Sequence, residues 1–250
     1  MFFSKKKQPA KQELSILLIT LNEEELIEPW LKHVTSLKPN DIVIVDSGST
    51  DKTKEIIKSY QNKLPIKLIE HPIGDSFAEQ RNIAKKTCKG DWILTLDTDE
   101  ALTENSLPIF PELLINQRTI AYSFPRVILF PDKEHFLGNP NGDLQLRLFR
   151  NLPEIEYIHK VHEHPAYLRK EIHPGIIRTK QGWQWCKIKR EIKILHLGYL
   201  KSKEKLIERG KRWQKFKAAS KERGIEIGGE DFFLIEKNKV KPRPIGELMK

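Results

Sequence analysis

The chain has 250 residues, enough for one large domain or two small ones around a core of ordinary size. Lys and Arg outnumber Asp and Glu by 44 to 34, a formal charge of +10 that suits anionic partners and suits equally a basic surface kept for solubility. No apolar run approaches the length of a membrane span, Met1–Lys7 is too short for a secretory signal, and Cys88 and Cys186 have neither metal nor redox spacing, so the expectation is a soluble chain in a reducing cytoplasm without a disulfide framework.

The first hundred residues alternate between strand and helix patterns. Leu14–Thr20 is a nearly continuous apolar run, followed by polar Asn22-Glu23-Glu24-Glu25 and a helical stretch through Trp30, Leu31 and Val34. Asp41–Val45 is a second, β-branched run that ends in Asp46-Ser47-Gly48-Ser49-Thr50-Asp51, where Gly serves a tight turn and Ser, Thr or Asp can cap the next helix. That helix covers 52–60, a third strand covers 66–70, and a helix over 77–86 can be capped by Asp75 or Ser76. The fourth strand, 92–96, stops at Asp97-Thr98-Asp99-Glu100.

Short apolar strands separated by helices predict parallel β-α-β units with both sheet faces covered, hence an α/β fold. In such sheets ligands bind outside the carboxyl ends of the strands. Three polar segments fall there: 20–23, 46–51 and 97–100. Alternate side chains of a strand share a face, so Asp97 and Asp99 are expected to point the same way. Paired carboxylates suit Mg²⁺ or Mn²⁺, held by one or two protein oxygens with the remaining positions left to water and phosphate. A lone Asp-x-Asp is also what a solvated turn contains.

The second half changes character. Residues 120–130, 144–149 and 192–196 read as strands with His- and Pro-rich stretches between them. A basic helix over 202–220 carries Leu206, Ile207, Trp213 and Phe216 among seven Lys and Arg residues, and the pattern dissolves beyond about Gly224. The expected organisation is 1–115 as one half, 116–222 as the other half of the same compact body, and 223–250 as a loosely held basic tail.

On four segments the chain resembles the family 2 glycosyltransferases, which have the GT-A fold with a mostly parallel central sheet flanked by helices. The segments are 15–23 (SILLITLNE), 44–51 (IVDSGSTD), Gln80-Arg81-Asn82, and 90–100 (GDWILTLDTDE). Asp-Ser-Gly-Ser-Thr-Asp with a terminal Asp-x-Asp-Glu looks like the lipopolysaccharide-core glucosyltransferase branch. The resemblance implies that Thr20, Asn22 and Asp46 line base and ribose and that Arg81 approaches the donor. Asp97 and Asp99 would serve the sugar, ribose and metal-bound diphosphate, with Asp99 on Mn²⁺ or Mg²⁺. A UDP-sugar is the expected donor, but many members have a second Asp, which helps read uracil, where this chain has Ser47, and that departure leaves the base open. The resemblance also implies inversion by a single in-line displacement.

A displacement of this kind needs a base for the acceptor's proton, and Glu163 in Val161-His162-Glu163-His164-Pro165 is the candidate. Members of the branch commonly carry Val-His-Glu here. A surface salt bridge is the plain alternative, and the flanking histidines invite a zinc reading that lacks a Cys partner and the H-E-x-x-H spacing. His196 resembles the late His that GT-A enzymes place on metal or diphosphate, against a core histidine bonded to backbone. Arg147 and Arg150 could grip acceptor or diphosphate through forked contacts, or serve the sheet edge. The helix over 202–220 either packs its apolar stripe or meets an anionic membrane surface that brings a lipid-linked acceptor. The acceptor is expected to be a glycan or lipid-linked molecule such as a lipopolysaccharide core, with the enzyme cytoplasmic and peripheral on the inner face of the membrane.

Three rival readings bear on the same features. A haloacid-dehalogenase-like phosphatase needs Thr or Val where Ala101 stands, and lacks its later Gly-Asp-x-x-x-Asp here. A nucleic-acid module leaves the three polar strand ends unexplained, so no nucleic-acid partner is expected. An inactive GT-A-like scaffold stays open.

Overall fold

The computed structural model describes residues 12–201, 206–207, 210–211 and 242–249. Apart from these residues, the expected basic helix over 202–220 and the tail over 223–250 lie outside the described residues.

The first half alternates as its periodicity predicts: β1 (Leu14–Thr20), α1 (Ile27–Thr35), β2 (Asp41–Asp46), α2 (Thr53–Tyr60), β3 (Ile66–Glu70), α3 (Phe77–Thr87) and β4 (Trp92–Thr95). Ser76 caps α3, its side chain accepting from the Glu79 amide at 3.2 Å. Strands β1 to β4 are parallel, with β1 between β2 and β4. The register sets Thr20 beside Asp46 and Asp46 beside Glu70.

Both faces of β1, β2 and β4 are covered, which explains their unbroken apolar runs, whereas the edge strand β3 is only half-buried. Leu14, Ile16 and Leu18 of β1, Ile42 and Ile44 of β2, and Trp92 and Leu94 of β4 pack with Trp30, Leu31 and Val34 of α1 and Ile57 of α2. Leu17, Val43, Val45 and Ile93 point the other way, against Ala78 and Ala84 of α3. Each fully buried Leu, Ile or Val contributes about 1.5–3 kcal/mol. Gly90 allows β4 to close on β1: a Cβ there would stand 2.6 Å from the Ser15 nitrogen and 2.8 Å from the Leu14 carbonyl carbon.

The second half adds β5 (Glu100–Leu102), α4 (Phe110–Leu114), β6 (Thr119–Leu129), β7 (His135–Leu137), β8 (Asp143–Arg150), β9 (Ile155–Ile158), β10 (His164–Tyr167), β11 (Lys170–Glu171), β12 (Gly175–Thr179), β13 (Gly182–Ile188), β14 (Ile194–His196) and β15 (Arg243–Pro244). The main sheet runs β12-β13-β6-β8-β4-β1-β2-β3, so strands of both halves share it. Strand β8 is antiparallel to β4 and β6, while β13 and β14 are parallel to β6. Strands β9 to β11 form a small antiparallel sheet whose Ile155, Tyr157 and Tyr167 join the core beneath α3. The expected strands over 120–130, 144–149 and 192–196 correspond to β6, β8 and β14. The sequence reading had no strands over 155–188. Strands β9 to β11 have two to four residues each, too few for a period-two pattern to emerge.

Candidate active site

The carboxyl ends of β1, β2 and β4 form one edge, and each contributes polar side chains. Thr20, the last residue of β1, is buried, and its hydroxyl has no hydrogen-bond partner among the described residues. Asn22 takes φ +56°, a left-handed conformation that its short amide tolerates. Its side-chain oxygen accepts from the Thr50 amide at 2.8 Å, and its own amide donates to Ser49 Oγ at 2.9 Å, tying the β1 loop to the β2 loop.

Asp46 ends β2 and is fully buried. Its Oδ1 accepts from the amides of Gly48 (3.0 Å) and Ser49 (2.8 Å). Gly48, at φ +105°, permits that turn. Asp46 Oδ2 lacks a partner among the described residues, as does the hydroxyl of Thr20, its neighbour in register. Two orphaned buried oxygens on adjacent strand ends suit a ligand rich in hydroxyl and N–H donors. Ser47 is also buried, and its hydroxyl donates to Gln80 Oε1 at 3.4 Å. The Gln80 amide nitrogen lies 2.9 Å from His71 Nδ1.

After β4 the chain turns, and the Glu100 amide donates to the Asp97 carbonyl at 2.9 Å. This turn corrects the expectation that Asp97 and Asp99 share a face: the strand stops at Thr95, and the two carboxylates go to different partners.

Asp97 meets two guanidiniums. Arg81 Nη2, from α3, donates to Asp97 Oδ1 at 2.8 Å, and Arg147 Nη2, from β8, to Oδ2 at 3.3 Å. Arg147 also donates to Glu100 Oε1 at 2.7 Å. Arg81 continues through Nε to Glu163 Oε1 at 2.6 Å and lies over the ring of Tyr157, 5.7 Å from its centroid. The enclosing protein opposes ionisation of Asp97, but Arg81 and Arg147 overcome it and hold the carboxyl well below the usual range. Glu100 shifts the other way: burial raises its pKa, Arg147 opposes the rise, and the charge of Asp97 adds to it. Burial raises the Tyr157 hydroxyl to about 12, and that hydroxyl lies 2.7 Å from Thr95 Oγ1.

Asp99 faces a second cluster. Its Oδ2 lies 3.7 Å from His196 Nε2 and 3.7 Å from Lys201 Nζ. Pairing of β14 with β5 sets His196 opposite Glu100 and so beside Asp99. Lys201 donates to both oxygens of Glu23, at 2.8 and 2.9 Å. Among the described residues no group of three or more His, Cys, Asp and Glu could hold a metal ion. Asp99 and His196 make a two-donor set, which fits Mg²⁺ or Mn²⁺ when phosphate and water supply the other positions.

Glu163 stands in the β9–β10 connection, where His159 and His162 take positive φ. Its side chain is 12% exposed, with Oε1 held by Arg81. Burial lowers the pKa of the adjacent His164.

The structure therefore brings Thr20, Asn22, Asp46, Arg81, Asp97, Asp99, Arg147, Glu163 and His196 to one edge. Arg150 lies elsewhere. It pairs with Trp92 at the start of β4, the opposite end of that strand from the turn that carries Asp97. Its guanidinium stacks 4.5 Å from the Trp92 ring and donates to the Thr119 and Asn116 carbonyls. This is a structural anchor of the sheet, and it corrects the acceptor or diphosphate expectation for Arg150. Sequence reasoning missed Glu23, Glu100, Tyr157 and Lys201 as members of the site. Glu23 and Glu100 fall within the flagged polar segments, whereas Tyr157 and Lys201 carry no local signal.

Comparison with known proteins gives a consistent family. The model of "Glycosyl transferase family 2" matches residues 15–172. The lipopolysaccharide core biosynthesis glycosyltransferase LpsC of Rhizobium meliloti (strain 1021) is 35% identical over 105 residues, covering 42% of this chain and 38% of LpsC. A TPR repeat-containing protein of Synechococcus elongatus is 29% identical over 154 residues, covering 62% of this chain and 36% of that protein. The matches thus span well under half the length of these curated relatives. Staphylococcus aureus TarS 1-349, solved with UDP-GlcNAc, superposes with a TM-score of 0.52 at 14% identity over 74% of this chain and 58% of that one, a likeness of fold. No helix among the described residues is long and apolar enough to cross a membrane.

Proposed function

Because the chain belongs to glycosyl transferase family 2 and has the GT-A fold, we propose that it moves a hexose from a nucleoside-diphosphate sugar, UDP-hexose foremost, to a glycan or lipid-linked acceptor. A lipopolysaccharide core is the acceptor we favour, on the likeness to LpsC. The observation that carries the reading is the gathering of nucleoside-type, carboxylate-type and base-type groups on one sheet edge. Residues 1–115 then serve the donor, and 116–222 supply acceptor contacts and the base.

The orphaned oxygens of Thr20 and Asp46, with Asn22 beside them, accept hydrogen bonds from ribose and base. Asp97 orients the donor sugar, its carboxylate kept ionised by Arg81 and Arg147. Asp99 and His196 would hold Mg²⁺ or Mn²⁺, which would supply positive charge to a diphosphate leaving group. Lys201, already beside Asp99, adds a second positive charge where that diphosphate leaves. Glu163 takes the acceptor's proton on Oε2, since Arg81 fixes Oε1. The acceptor oxygen bonds the anomeric carbon as the bond to the β-phosphate oxygen breaks. The electron pair leaves with the nucleoside diphosphate and the configuration inverts.

Glu163→Gln tests the assignment of the base. We expect transfer to fall by about 10²–10⁴-fold while metal-dependent nucleotide binding stays as in the wild type. Loss of both would place Glu163 in donor binding instead.

A further inference from the structure

Strands β12 and β13 form a hairpin at the far edge of the main sheet, and one of its faces exposes several large apolar side chains together. Trp183 is 65% exposed, Trp185 41% and Ile176 54%. Alternation sets Trp183 and Trp185 on one side of β13, while Cys186 turns inward to the core. In register, Ile176 lies opposite Trp185 and Arg178 opposite Trp183, so the four side chains share one face. Charge follows the same pattern. Residues 172–190 contain no Asp or Glu, and they carry Arg178, Lys180, Lys187, Lys189 and Arg190. Arg178 and Lys187 have no ion-pair partner among the described residues, whereas Lys180 is paired with Glu154 at 2.8 Å.

We propose that this face of the β12–β13 hairpin docks the protein on an anionic lipid bilayer, with Trp183, Trp185 and Ile176 at the headgroup level and Arg178 and Lys187 on lipid phosphates. Indole rings suit that boundary because one end is apolar and the N–H can stay wet. Lys and Arg beside them gain from the negative surface potential of the leaflet. Other occupants meet a charge penalty. Residues 1–11 join the described structure at Gln12, which lines a cavity of about 300 Å³ together with Gln181 and Gln184 of the hairpin. Covering the face with that segment would set Lys5, Lys6, Lys7 and Lys11 against the hairpin's own cations. A second copy of the chain brings the same formal +10. Against an anionic surface, both sets of cations act together.

The contact is distinct from the donor edge. Trp185 is registered with Thr119 at the start of β6, the end of the sheet that also holds Arg150, so the carboxyl ends of β1, β2 and β4 stay open. The inference therefore stands independently of the donor chemistry.

Vesicle flotation at near-physiological salt tests it, using phosphatidylcholine alone and phosphatidylcholine mixed with phosphatidylglycerol. The wild type is expected to float only with the anionic vesicles. Trp183→Ser with Trp185→Ser should weaken that binding by about tenfold or more, and Arg178→Glu with Lys187→Glu should do the same. Brominated lipid chains should quench tryptophan fluorescence in the wild type and in Trp213→Phe, but not in the double tryptophan variant. Because Trp183, Trp185 and Arg178 are exposed and Lys187 is half-buried without an ion-pair partner among the described residues, circular dichroism and thermal midpoint should match the wild type. No binding to anionic vesicles, unchanged binding in the double tryptophan variant, or binding of a neutral oligosaccharide through these tryptophans without vesicle binding would each overturn the proposal.

Discussion

The two halves of the sheet reach the same edge by different routes. In the first, β1, β2 and β4 are parallel, are buried on both faces and run to the same edge; β1 and β2 end level, so Thr20 and Asp46 are neighbours simply because the strands are in register, and β4 stops earlier, at Thr95 opposite Leu17. In the second, each contribution is delivered singly from a different element: Arg147 from the antiparallel β8, Glu163 from the connection between two four-residue strands, His196 from a three-residue strand pinned to β5. Arg81 joins the two routes, since it bonds Asp97 on one side and Glu163 on the other. A parallel β-α-β core makes a binding edge almost inevitably, whereas the groups set against it depend on ion pairs between residues distant in sequence.

The largest effect should come from the donor side. Asp99→Ala is expected to abolish measurable transfer, about 10³-fold or more, with the fold intact because Lys201 keeps its two bonds to Glu23. Wild-type turnover in that variant would remove the cation from Asp99. Next comes the residue that couples the halves. Arg81→Ala leaves Glu163 without its guanidinium and Asp97 with Arg147 alone, so we expect a loss of about 3–5 kcal/mol in denaturant unfolding along with loss of transfer. A stability change near zero would mean that the two halves stand without this bridge. The smallest effect belongs to Arg150, which serves the opposite end of the sheet. Arg150→Ala should cost about 1–3 kcal/mol through the freed Thr119 and Asn116 carbonyls and leave nucleotide affinity unchanged. Weaker nucleotide binding in that variant would restore the donor-side role that the geometry withholds.

The same contrast governs what the sequence could reveal. Strands β1, β2 and β4 have runs long enough to read and polar residues immediately after them, so Thr20, Asn22, Asp46, Asp97 and Asp99 were legible as an edge. The shared face of Asp97 and Asp99 was not, because a turn replaces the last strand residues and sends the carboxylates to Arg81 and His196 separately. Arg147 and Arg150 look equivalent three residues apart on β8, yet strand length carries them to different ends of the sheet, and only the antiparallel register with β4 reveals which is which. Lys201 and Tyr157 were illegible for a simpler reason: a single Lys or Tyr enters a site through tertiary contact alone, and no spacing announces it.

The most direct measurement is thermal stability with UDP, GDP, CMP and ADP, each with Mn²⁺, with Mg²⁺ and with chelator, in the wild type and in Asp99→Ala. A nucleotide at about a hundred times its dissociation constant stabilises the fold by about 2.7 kcal/mol. The account predicts a rise in midpoint that requires both metal and one nucleotide, UDP foremost, and that disappears in Asp99→Ala. A rise indifferent to metal, or none with any nucleotide, would contradict it.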